Sequence, residues 1–128
     1  MQPSIRHYHP LADFYLDEGC YINELSNSPE DPDLSIARAR VPVGVTTRWH
    51  RLEGVTERYC IVQGEGRVEI GDEGSATVAT GDVVIIPPGC RQRISNTGDG
   101  DLIFLAICTP RFDAAIYRDL EAPAETGP

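Results

Sequence analysis

Turn residues punctuate this chain at short, even intervals, and that spacing leaves room for little except short strands. Turn signals fall at Asn27-Ser28-Pro29, Pro42-Val43-Gly44, Gly64-Glu65-Gly66, Gly71-Asp72-Glu73-Gly74, Gly81-Asp82, Pro87-Pro88-Gly89 and 96–100. Between them lie runs rich in β-branched and aromatic residues at 45–50, 57–63, 67–70, 76–80, 83–86 and 102–108, with two more at 20–25 and 34–41. Strands bounded by turns in this way predict an all-β antiparallel sandwich or closed barrel. One segment breaks the pattern. Phe112, Ala115, Ile116 and Leu120 form a single stripe at helical spacing, with Thr109 placed to cap and Pro110 at the first helical position. A short C-terminal helix is predicted there, followed by a frayed tail over 122–128.

A chain of 128 residues fits one domain. The expected division is an N-terminal extension over 1–17, a β-barrel over 18–111, and the helix and tail over 112–128. With 41% hydrophobic and 24% charged residues, the composition is that of a folded globule rather than a disordered chain. All 11 cations are Arg and there is no Lys, which excludes a lysine Schiff base. The formal charge of -9 argues against a phosphate backbone as partner. No run is long and apolar enough to span a bilayer, and no export signal opens the sequence, so a cytoplasmic protein is expected. Cys20, Cys60, Cys90 and Cys108 include no C-x-x-C pair and are expected to be reduced thiols.

Two blocks at the centre carry more information. The first is Gly44-x5-His50-x-Leu52-x4-Glu57-x6-Gly64; the second is Gly81-x5-Pro87-Pro88-Gly89-x2-Gln92-x3-Asn96. In internal spacing and separation they resemble the paired motifs of the cupin superfamily. The resemblance implies a small jelly-roll β-barrel, commonly dimeric, holding a metal through three His and one Glu. His50 and Glu57 stand at two of those four positions, whereas Leu52 and Gln92 stand where the other two His belong. The resemblance thus implies a divalent metal (Zn, Mn, Fe or Ni) held by His50, Glu57 and the amide oxygen of Gln92, with water completing the shell.

Strand alternation suggests what surrounds such a site. Arg48, His50 and Leu52 share one face, as do Glu57, Tyr59 and Ile61, and Gln92 with Ile94. If the His50 face is the interior, Arg48, His50, Glu57, Tyr59 and Gln92 line one cavity suited to a small-molecule ligand. Glu57 or Tyr59 is then placed to move a proton and Arg48 to hold an anionic group. The expected function is Lewis-acid or acid–base chemistry of isomerase, epimerase or lyase type on a small polar or anionic metabolite, sugar phosphates included. A non-haem iron dioxygenase and a metal-free binding barrel are the alternatives. Cys60 and Val62, of opposite parity to Glu57, predict an apolar outer face covered in a homodimer. His7 and His9 read as surface residues near a terminus.

Overall fold

The computed structural model describes residues 1–121; the tail expected to fray, 122–128, lies outside them. Eleven strands follow in order: β1 (Phe14–Leu16), β2 (Cys20–Ser26), β3 (Ser35–Val41), β4 (His50–Leu52), β5 (Thr56–Gln63), β6 (Glu65–Ile70), β7 (Ser75–Ala79), β8 (Val83–Ile86), β9 (Gln92–Asn96), β10 (Leu102–Thr109) and β11 (Tyr117–Asp119). They form two antiparallel sheets, a six-stranded one in the order β1-β2-β3-β10-β5-β8 and a five-stranded one in the order β11-β4-β9-β6-β7. This is the all-β jelly-roll barrel that the turn spacing predicts. The four cysteines are all free.

Alternation builds the core. Along β5, Glu57, Tyr59 and Ile61 are buried while Arg58 and Cys60 are partly exposed and Val62 is open to solvent. Ile61, Ile86, Ile94, Leu102 and Val41, drawn from both sheets, are almost completely buried. Each such side chain contributes roughly 1.5–3 kcal/mol by leaving water. The turn from β5 to β6 depends on Gly64, whose φ is +94° and where a Cβ would stand 2.8 Å from the Asp101 carbonyl oxygen. Only glycine meets both demands. Asn96 closes the next corner, donating to the carbonyls of Val41 and Gly100 and accepting from Gly98 N–H.

Two local predictions differ from the structure. The stretch expected to be helical contains only a single 3-10 turn, Ala114–Ile116, after which the chain becomes β11. Thr109 is not a cap but the last residue of β10, where its hydroxyl accepts from Arg58. The reason is tertiary. β4 would otherwise have an open edge, and Tyr117, Arg118 and Asp119 pair with Leu52, Arg51 and His50 along it. Phe112 and Ile116, with Tyr117, still pack against Leu52, Val55 and Cys108, so half of the apolar stripe meets the core without forming a helix, while Ala115 and Leu120 stay exposed.

The second difference concerns β4, which begins at His50 rather than Val45. Before it the chain is held by separate bonds from Thr47 N–H to the Ile94 carbonyl and from Arg48 N–H to the Glu18 carbonyl. Side-chain alternation therefore holds for His50 and Leu52 but does not extend back to Arg48.

Candidate functional site

A cavity of about 810 Å³ opens between the sheets, within the size range of small-molecule sites. β4 carries His50 and Leu52 into its wall, β5 carries Glu57 and Tyr59, and β10 carries Ala106 and Cys108. Gln92 lies directly across the sheet from His50 and is almost fully buried. Three of the five residues singled out in the sequence, His50, Glu57 and Tyr59, line the cavity, and Gln92 stands behind the wall, bonded to Tyr59. Arg48 is not among them. Its Nε donates to both carboxylate oxygens of Asp119, at 3.2 and 3.3 Å, and it stands outside the cavity wall. With its charge matched by Asp119, it is not placed to hold an anionic group inside.

The buried polar groups form one connected set. The Tyr59 hydroxyl donates to Gln92 Oε1. Burial, reinforced by the nearby carboxylates of Glu57 and Glu18, raises Tyr59 well above the ordinary phenol range, so it remains a donor. Its bond fixes the Gln92 amide with Nε2 on the other side. Gln92 Nε2 and Glu57 Oε1 are the two buried side-chain polar atoms without a partner among the described residues. The Gln92 amide is still close enough to lower the Glu57 pKa. That effect is outweighed by burial, which pushes Glu57 up to about 7 despite the opposing influence of His50. The remaining oxygen, Oε2, has a long contact from Cys108 Sγ at 3.9 Å, and burial pushes that thiol up to about 12.

His50 is oriented from below. Its Nδ1 lies 2.9 Å from the Arg48 carbonyl oxygen, an acceptor only, so Nδ1 donates to it and Nε2 is left to face the site. Tyr117 stacks on the imidazole at 5.2 Å between ring centroids. The Tyr117 hydroxyl donates to Glu18 Oε2, and Glu18 Oε1 accepts from Cys20 Sγ. Glu18 and Tyr117 are the site residues that sequence reasoning missed. Glu18 reads as part of an Asp-Glu-Gly turn, and nothing in the sequence pairs position 18 with position 117.

The chemistry of these donors tests the expected metal. His50 Nε2 and Glu57 Oε1 suit a divalent ion. Leu52 offers no donor, Gln92 Oε1 is engaged by Tyr59, and Gln92 Nε2 carries only hydrogens. Among the described residues no three His, Cys, Asp or Glu side chains are grouped so as to hold a metal ion. Two donors fall short of the four that the family arrangement supplies, and the residues present do not fit a resident metal.

A double-sheet jelly roll with a ligand-sized cavity at the His50-Glu57 end defines the class of protein. Residues 37–108 match the Cupin domain family, and the chain belongs to that family. Among sequence relatives, protein MJ1618 of Methanocaldococcus jannaschii is 31% identical over 107 residues, covering 82% of this chain and 85% of the relative. The oxalate-binding protein of Thermotoga maritima is 39% identical over 72 residues, covering 56% of this chain and 58% of the relative. Among solved structures, the Streptomyces nucleoside dehydratase Pac13 superposes with a TM-score of 0.74 at 17% identity, covering 91% of this chain and 92% of that one, a likeness of fold.

Proposed function

We propose that the chain takes a small polar molecule into the cavity and moves a proton on it, with Glu57 as the acid–base group and Tyr59 and Gln92 as its positioning partners. One observation carries this reading: an acceptor, Glu57 Oε1, and a donor, Gln92 Nε2, are buried without a full hydrogen bond among the described residues, the Gln92 amide lying near enough to Glu57 to lower its pKa. Leaving such a pair unsatisfied costs on the order of 1–3 kcal/mol per group. A hydroxyl of a bound ligand, donating to Glu57 Oε1 and accepting from the Gln92 amide, meets both needs. A carboxyl whose pKa stands near 7 exchanges protons readily at neutral pH. Isomerase, epimerase or lyase chemistry follows from one such group acting on a carbon acid. The oxalate in the name of the Thermotoga maritima relative is not carried over, because the cavity offers a dianion no unpaired cation beyond Arg111.

The test is solvent exchange. The protein is incubated in D2O with a panel of hydroxy acids, sugars and nucleosides, each read by mass spectrometry for deuterium on carbon. The wild type is expected to label at least one compound, and Glu57→Gln to lose at least about a thousandfold of that rate. A compound that binds and leaves unlabelled at wild-type Glu57 would instead make the chain a binding barrel.

The outer face of the six-stranded sheet bears on partners. Val62, Val83 and Ile85 are 49%, 59% and 66% exposed and lie together on β5 and the edge strand β8. A second copy of the chain placed over this face would cover it on both molecules at once. Sedimentation equilibrium at micromolar concentration is expected to give a dimer, and Val62→Asp with Ile85→Asp a monomer. A monomeric wild type removes the homodimer from the account.

A further inference from the structure

The charges around the cavity are more one-sided than those of the chain. Five carboxylates line it besides Asp119, whose charge is matched by Arg48: those of Asp17, Glu18, Glu24, Glu57 and Asp113, against one guanidinium, that of Arg111. The whole sequence has 20 acidic residues to 11 Arg. Of the nearby cations, Arg48 is held outside by Asp119, and Arg111 donates its Nε–H to Asn27. Deeper in, Glu57 Oε1 is buried without a hydrogen-bond partner among the described residues. The rings of Phe14, Tyr59, Phe112 and Tyr117 complete the wall. Carboxylates backed by aromatic faces attract a cation and repel an anion.

We infer that the molecule this cavity takes carries a protonated amine, held between the Glu57 carboxylate and the acidic rim that includes Glu18. The inference rests on the reading of the cavity as the ligand site and narrows its ligand class. An ammonium group donates up to three hydrogen bonds, which suits the unpartnered Glu57 oxygen. A phosphate or carboxylate would be brought against that same oxygen and the acidic wall, with Arg111 alone among the described lining guanidinium groups to offset them.

Charge-paired thiol reagents test this without a known ligand. The native Cys108 thiol lines the cavity, so it reports the local potential in the unmodified chain. The protein is treated separately with 2-aminoethyl and 2-sulfonatoethyl methanethiosulfonate, and modification of Cys108 is followed by peptide mass spectrometry. The ratio of the two rates is compared with the ratio for a free small thiol, which cancels the intrinsic reactivity of the reagents. Because Cys108 is nearly buried, Ala106→Cys, one step along the same strand face, is measured in parallel.

The ammonium reagent is expected to gain at least about tenfold on the protein relative to the free thiol. That gain should shrink in Glu18→Gln and in 0.5 M salt, where charge interactions are screened. A ratio equal to that of the free thiol, or one favouring the sulfonate, at either thiol overturns the inference. Such a result leaves deuterium exchange by Glu57 standing or falling on its own measurement, so the two failures are distinguishable.

Discussion

Glu57→Gln is expected to stabilise the folded protein above pH 7 while leaving it unchanged near pH 4. The sign follows from the direction of the shift. Burial raises the Glu57 carboxyl from 4.5 to about 7 in the folded state, so between those values the folded chain holds a proton that the unfolded chain has lost. Folding is therefore favoured at low pH, and this contribution disappears as pH rises through about 7. Above that, the wild type bears the full cost of an ionised carboxylate in a dry wall, roughly 3 kcal/mol. Glutamine has nearly the same shape and no charge. At pH 8 the variant should melt about 10 °C higher than the wild type, with the gap closing toward pH 4. Thermal unfolding of both proteins at the two pH values reads it. A gap that does not change with pH would mean that Glu57 titrates as an exposed carboxyl does.

The second large effect is a gain. Leu52→His together with Gln92→His should turn the cavity into a divalent-metal site. Leu52 is buried two residues from His50 on β4 and lines the same cavity, and Gln92 faces His50 directly across the sheet. Directly opposed Cβ atoms lie about 4.5–5.5 Å apart, close enough for two imidazoles to share an ion. Replacing Gln92 also removes the amide oxygen now engaged by Tyr59 and puts a ring nitrogen in its place. Zinc or manganese affinity measured by titration calorimetry should rise at least about a hundredfold over wild type, since even changes around a ligand shell shift affinity by 10–100-fold. The metal-free variant should lose about 1–2 kcal/mol of stability, because Leu52 packs against Val55 and Cys108. No gain in affinity would mean that positions 52 and 92 do not converge on His50 and Glu57.

The barrel was legible because its signals are local. A glycine such as Gly64 that must turn the chain, and an alternation such as Glu57-Tyr59-Ile61, act over a few residues and survive into the fold. What failed depended on distant partners. The stripe at Phe112, Ala115 and Ile116 has helical spacing, but β4 offered β11 an edge, and ladder pairing outweighed a marginal isolated helix. Alternation points Arg48 inward only if it extends beyond β4, the strand that enforces it. The partner of Arg48, Asp119, arrives from 71 residues further on. Glu18 and Tyr117 meet at a separation of 99 residues, and no sequence period joins them. The pair of residues at the motif positions, His50 and Glu57, could be read from spacing. The way Tyr59 turns the Gln92 amide toward Glu57 could not, since it depends on one hydrogen bond across the cavity.

The central claim is that this cupin works through the Glu57 carboxyl rather than through a bound metal, and deuterium exchange on chelator-treated protein tests it most directly. The protein is stripped with EDTA, its metal content is measured by elemental analysis, and wash-in of solvent deuterium into the substrate is followed with and without added zinc, manganese or iron. The account predicts that exchange continues at an undiminished rate with metal well below one ion per chain, and that Glu57→Gln abolishes it. Exchange that stops on stripping and returns on adding back one of these ions would contradict it.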